Sequence, residues 1–257
     1  MMTRPTVLLL TATVDPGAYA AEIARRDLEV RKSDYRNALR FFMRLPDARI
    51  SGVVLCENSG ADLAFLDADA LRRETGRPLE VIGFDGNRRP EGLHYGYSEL
   101  GIVDHACRHS RLLAQSERFF KVTGRLTFER LSDLMDHLPE DRRFAADFRR
   151  AYSREGGAPL RARTELMLFA KDFYLEHFFE RRDEMIAPPL VLEEFVARVI
   201  APLRGRRGEE GLTLRWPIEC PASGHAARDD SAYDSAPIRA KRRLRALARV
   251  AAPWLWI

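Results

Sequence analysis

Residues 118–128 read RFFKVTGRLTF. The aromatic and β-branched residues suit a buried strand, yet Lys121, Thr123, Gly124 and Arg125 crowd its end. Lys121 and Arg125 lie four positions apart, so a strand that stays extended puts both on one face. A guanidinium grips two oxyanion oxygens at once, and an ammonium acts as a point charge. Thr123 adds a hydroxyl donor, and Gly124 permits close backbone approach or a bend. A diphosphate suits this set. The run is no Walker motif, because no glycine-rich loop precedes the lysine. A solvated strand end would carry the same residues, since exposed Lys and Arg are common.

Such a strand end needs a frame. TVLLLTATVD (6–15) is a continuous apolar run ending at Asp15-Pro16-Gly17, as expected of a strand buried on both faces. ISGVVLCENSGADL (50–63) and LEVIGFDGN (79–87) predict two more strands that run into polar turns. Tyr35, Leu39, Phe42 and Met43 recur at helical spacing. DADALRRETG (67–76) reads as a helix capped by Asp67 or Asp69 and ended by Gly76. GYSELGIVDHACRHSRLL (96–113) reads as another helix, in which Asp104 looks like a surface acid. The alternation predicts an α/β fold with a mostly parallel, Rossmann-like sheet flanked by helices.

Ligands of open α/β sheets bind beyond the carboxyl ends of the strands. Thr11, Asp15, Glu57, Asn58 and Ser59 fall on that rim beside the Lys121–Arg125 segment. They suit hydrogen bonds to a nucleoside, or ordinary turns. Tyr95, Gly96, Tyr97 and Glu99 open the helix before the key strand, where a helix N-terminus can receive a phosphate. Glu99 disfavours an anion beside it and suits a helix cap or sugar hydroxyls. Asp67 and Asp69 form an Asp-x-Asp, but at a helix start, where capping is expected. Asp229-Asp230 reads as a turn.

Beyond the fourth strand, residues 129–150 are charged and predict a helix, and 164–170 predict a strand that continues as a helix. MIAPPLVLEEFVARVIAPL (185–203) predicts a helix after its Pro-Pro start, and 211–234 a strand and a polar loop. His225 and Arg228 lie in that loop, which could close over a bound diphosphate. From Pro237 a basic helix runs to APWLWI. The division expected is 1–234 as one domain (1–128 and 129–234 as its halves), with 235–257 as a tail.

The 257 residues are 46% hydrophobic and 31% charged, an ordinary globular composition. The net charge is +4, and residues 235–257 carry six cations and no acid, so residues 1–234 carry a net −2. A basic amphipathic helix with Trp254 and Trp256 at its end suits an anionic membrane surface. A nucleic-acid role is not expected, because the body lacks a basic face and an aromatic platform. Cys56, Cys107 and Cys220 are too few and too far apart for a disulfide framework or a zinc site. The apolar run near the N-terminus is too short to span a membrane. A cytoplasmic protein, peripheral at the inner membrane face, is expected.

The order of these segments resembles the GT-A nucleotide-sugar glycosyltransferases. VVLCENSGAD (53–62) is similar to their second strand and acidic turn, and HYGYSELGIVDHAC (94–107) to the helix that follows. Where the family places a metal-binding Asp-x-Asp, this chain has KVTGR. YGYSELGIVDHACRHSRLL with FFKVTGRL looks like a group of bacterial capsule and lipopolysaccharide biosynthesis proteins with a Lys-x-Thr-Gly-Arg motif. The resemblance implies a nucleoside diphosphate sugar donor and a saccharide or lipid-linked acceptor. It implies Lys121 and Arg125 in the role of a divalent metal, with no cofactor. It also implies an acid near a later helix start as base, which selects Glu193, with Glu194 as alternate. Two other readings stay open: a nucleotidyltransferase that uses the same cations, and a non-catalytic partner of a membrane synthase complex.

Overall fold

The computed structural model describes residues 4–150, 160–204, 211–233 and 235–251. The strands are β1 (Thr6–Ala12), β2 (Ile50–Glu57), β3 (Leu79–Gly83), β4 (Arg118–Thr123), β5 (Phe144–Arg150), β6 (Leu160–Ala170) and β7 (Leu212–Thr213). The helices are α1 (Leu28–Arg44), α2 (Ala68–Thr75), α3 (Gly96–His109), α4 (Arg111–Gln115), α5 (Leu131–His137), α6 (Lys171–His177), α7 (Leu192–Ile200) and α8 (Ala236–Ala251). The seven strands form one sheet in the order β3-β2-β1-β4-β6-β5-β7. The pairs β2–β3, β1–β2 and β1–β4 are parallel, while β6 runs antiparallel to β4 and β5. The expected mostly parallel sheet is present.

Every residue of β1 is buried, because both sheet faces are covered. Leu8 and Leu10 pack with Tyr35, Leu39 and Phe42 of α1 on one face. Val7 and Leu9 pack with Leu100 and Val103 of α3 and Phe195 of α7 on the other. The period-two alternation of β1 thus divides the core into two layers. Cys56, Cys107 and Cys220 are free, and burial pushes each thiol up to about 12.

Four local expectations change. Residues 129–150 are not one helix: α5 ends at His137, and Phe144–Arg150 form a strand whose Phe144, Ala145, Ala146 and Phe148 are buried. Its charges are absorbed by the buried Asp147, which accepts from Arg149 Nε at 2.7 Å. The helix expected over 96–113 breaks at Ser110, whose hydroxyl accepts from the Leu113 N–H at 3.0 Å and starts α4. Asp67 occupies the N-cap position of α2 in a left-handed conformation, but its carboxylate accepts no capping bond. Asp69 instead pairs with Arg72. Asp104 is buried, accepting from the Tyr174 hydroxyl at 2.7 Å, and burial pushes its carboxyl up to about 6.

Helix α8 docks the opposite way to an ordinary amphipathic helix. Ile238, Arg242 and Arg245 are partly buried, while Leu244 and Leu247 are each 68% exposed. Burying a leucine side chain is worth about 1.5–3 kcal/mol. Each exposed leucine forgoes most of that. Trp254 and Trp256 lie outside the described residues, among which no helix is long and apolar enough to cross a membrane.

At the end of β4 the Gly124 N–H donates to the Thr11 carbonyl at 2.9 Å. A Cβ there would lie 2.7 Å from the same oxygen, so a side chain must part β4 from β1. Gly124→Ala is expected to cost about 1–3 kcal/mol, as overpacking does. A lower urea midpoint at unchanged m-value is the expected readout.

Candidate active site

The carboxyl ends of β1 and β4 and the N-terminus of α3 meet in a cleft. Thr11, Thr13, Tyr19, Arg31, Arg89, Tyr95, Glu99, Thr123 and Arg125 line it. A ligand cleft in this position follows from the topology of open α/β sheets.

Its floor is an ion pair. Lys121 is 1% exposed and points from β4 toward α3. Its ammonium donates to Glu99 Oε1 at 2.5 Å, to Thr123 Oγ1 at 3.2 Å and to the Thr164 carbonyl at 2.6 Å. Those bonds use all three of its donors. Glu99 Oε1 also accepts from Thr11 Oγ1 at 3.0 Å and Thr123 Oγ1 at 3.2 Å. Burial alone would raise the Glu99 carboxyl, but the lysine outweighs it and holds the group below the ordinary carboxylate value. Lys121 is therefore spent on Glu99 rather than bare in the cleft. The strand also ends at Thr123, and Gly124 and Arg125 form a turn. The extended geometry that would align Lys121 with Arg125 is absent.

Arg125 does line the cleft, donating from one terminal nitrogen to the His225 carbonyl. Arg31 was not legible as a site residue. It is 4% exposed and donates to the carbonyls of Val14 (2.9 Å) and Arg25 (3.0 Å) and also to that of Thr13. No carboxylate neutralises it among the described residues. The signal was available: Arg31 sits one turn before Tyr35 on the apolar face of α1. Arg89 stacks 3.7 Å above the Tyr19 ring and pairs with Glu22.

The acidic turn after β2 does structural service. The Glu57 carboxylate accepts from the N–H groups of Val14 (2.8 Å) and Ser59 (2.9 Å), and Ser59 Oγ accepts from the Asp15 N–H at 3.0 Å. Asn58 Oδ1 accepts from Thr13 Oγ1 at 2.7 Å. Glu57, Asn58 and Ser59 thus clamp the loop after β1, and none of them lines the cleft. Asp15 accepts from the Gly17 N–H at 2.8 Å within its own turn. Gly96 lets α3 approach α7, since a Cβ there would lie 2.6 Å from Leu192 Cβ. Tyr97 points elsewhere and donates to Asp183 at 2.7 Å.

Tyr95 also borders a second cleft of about 780 Å³, with His94, Arg149, Arg161, Arg163, Glu193 and Arg228. Glu193 lies in the first turn of α7. Burial raises its carboxyl, helped by Glu165 and Glu99. On Glu165 burial is outweighed by Arg163, which holds that carboxyl at about 2. The two neighbouring acids are thus shifted in opposite directions, Glu193 toward stronger proton affinity and Glu165 toward weaker. Glu194 pairs with Arg161. Arg228 is exposed and makes no side-chain hydrogen bond or ion pair among the described residues. The His225 ring faces the Asp230 carbonyl at 3.1 Å, which leaves its backbone as the contact to Arg125.

The donor set does not fit a divalent cation. Glu99 and Glu22 are the only carboxylates lining the first cleft among the described residues; the former is bonded to Lys121, the latter to Arg89. No group of three or more His, Cys, Asp or Glu residues gathers among the described residues.

No family model and no curated protein matches the chain in sequence. Solved structures do match in fold. Galactosyltransferase LgtC, solved in complex with donor and acceptor sugar analogs, is similar at TM-score 0.51 and 11% identity, over 81% of this chain and 73% of that one. Core-mannan synthase A from Aspergillus fumigatus, in a Mn/GDP form, is similar at TM-score 0.50 and 10% identity, over 96% and 85%. The WbbM bifunctional glycosyltransferase aligns at TM-score 0.49 and 10% identity, over 83% of this chain and 39% of its own length. The fold of this chain is thus similar to those of the galactosyltransferase and the core-mannan synthase.

Proposed function

We propose that the protein is a glycosyltransferase that moves a sugar from a nucleoside diphosphate donor to a saccharide or lipid-linked glycan. The carrying observation is the pair of adjoining clefts, with Arg125 in one, the partly buried Glu193 in the other and Tyr95 common to both. The GT-A architecture supports the donor class. The Lys-x-Thr-Gly-Arg resemblance supports a role in bacterial surface polysaccharide assembly.

In this reading the donor diphosphate lies against Arg125, with the uncompensated Arg31 as second source of positive field. Fixed cations stabilise the charge that grows on the leaving diphosphate, so the reaction needs no metal. Lys121 acts indirectly: it holds Glu99 ionised and oriented toward donor hydroxyls, with Thr11 and Thr123 fixing the same oxygen. The acceptor hydroxyl meets Glu193, which takes its proton as the bond to the anomeric carbon forms. Arg228 lines the second cleft and its neighbour Ala227 the first, so this loop reaches both.

Incubation with a panel of nucleoside diphosphate sugars and glycans tests this. Release of a nucleoside diphosphate is expected; release of pyrophosphate would mark a nucleotidyltransferase instead. Glu193→Gln should lower kcat by about 10²–10⁴-fold, the usual worth of a general base. Because burial raises the Glu193 carboxyl, wild-type kcat/KM should fall as pH drops through a midpoint above the ordinary glutamate value. The variant should lack that limb.

The outward face of α8 is proposed to rest on an anionic membrane surface. Leu244 and Leu247 are exposed there, with Lys241 and Arg243 exposed beside them. Apolar insertion flanked by cations is the physics of interfacial helices. Sedimentation with phosphatidylglycerol vesicles should be lost in Leu244→Glu/Leu247→Glu and weakened by salt, while neutral phosphatidylcholine vesicles should bind poorly.

A further inference from the structure

A third cleft lies between α8, the middle of β5 and β6, and residues 216–222. Arg149 and Arg163 line both it and the cleft that holds Glu193, so the two adjoin. Lys241, Arg242 and Arg245 complete its cationic wall. The four arginines are not equivalent: Arg242 donates to the Ala222 carbonyl at 3.1 Å. Arg149 is paired with Asp147 at 2.6 Å, and Arg163 with Glu165 at 2.6 Å. Arg245 is partly buried and donates no hydrogen bond among the described residues.

That arrangement is unfavourable as it stands. A guanidinium has five donors, and burial without an acceptor is costly. Burial first, then Arg149 and Arg163, weaken the hold of Arg245 on its proton. Helix α8 nonetheless turns Arg245 inward and leaves Leu244 and Leu247 in solvent. Packing alone would favour the reverse rotation. An oxyanion between Arg245, Arg149 and Arg163 removes the repulsion and supplies the missing acceptors, and guanidinium forks match such groups bidentately.

We infer that the acceptor is an anionic saccharide, whose phosphate or carboxylate is held by Arg245, Arg149 and Arg163 while its free hydroxyl reaches Glu193. The assignment of this group to an acceptor rests on the transferase reading; the oxyanion site itself does not. The acids that face it are Asp147, Glu165 and Glu219, each within the same cleft. The first two are already matched to Arg149 and Arg163, and Glu219 lies 3.6 Å from Arg149. Against these three acids stand Arg149, Arg163, Lys241, Arg242 and Arg245, so the cleft keeps a surplus of positive charge.

Thermal shift and isothermal titration with glucose 1-phosphate, glucuronate, decyl phosphate and neutral glucose, at constant ionic strength, test the site. The wild type should bind at least one anionic probe at least tenfold more tightly than glucose. Glucose 1-phosphate or glucuronate as the best probe would point to an acidic sugar, and decyl phosphate to a lipid-linked phosphate. Arg245→Gln should weaken that probe about 10–100-fold, the worth of a charge-assisted contact, and Arg245→Lys should restore part of it. Nucleotide binding at Arg125 should be unchanged in both variants. Equal binding of glucose and the anions, or anion binding indifferent to Arg245→Gln, would overturn the inference. Anion binding that depends on Arg245 in a protein that binds no nucleotide would sink the transferase reading and keep the oxyanion site.

Discussion

The buried pair of Lys121 and Glu99 is the constraint around which the first cleft is built. It ties β4 to α3, and through Thr11 and Thr164 it reaches β1 and β6. A charge taken out of water must be matched, and removing one partner of a buried pair costs about 3–5 kcal/mol. Glu99 therefore fixes the lysine, and the lysine fixes the first turn of α3. Tyr95, just before that turn, is placed on the border between two clefts as a consequence. Gly96 permits the close approach of α7 that sets Glu193 behind it.

The same pairing redistributes charge. With Lys121 neutralised at the floor, the positive field of the first cleft falls to Arg125 and Arg31. Farther along, Arg149, Arg163 and Arg245 continue a basic lining past Glu193 to α8. Helix α8 closes that lining with its charged side and keeps its leucines outward, so one helix can serve ligand and surface at once.

The sheet was legible because its strands are long apolar runs with polar ends, and the connecting helices carry their own periodicity. Strand β5 was not, because Asp147, Arg149 and Arg150 mask its apolar residues and their neutralisation is a tertiary event. The rim position of the site was legible from topology. The roles within it were less so. Lys121 looked free because its partner, Glu99, comes from a helix 22 residues earlier. Glu57, Asn58 and Ser59 have types that suit a nucleoside, yet an orphaned loop after β1 claims them first. Arg163 and Glu165, two apart on β6, showed the alternation of a charged strand face, but nothing local says that the face borders a cleft.

The central claim is that fixed arginine charge, without a metal, receives the donor diphosphate. Thermal stability of the purified protein with UDP, GDP, CDP and their sugars, in EDTA and then in Mn²⁺ or Mg²⁺, tests it most directly when run beside Arg125→Ala. A stabilisation by one nucleotide, the same in EDTA and absent in the variant, is expected. A stabilisation that requires the metal, or that survives loss of Arg125, would contradict it.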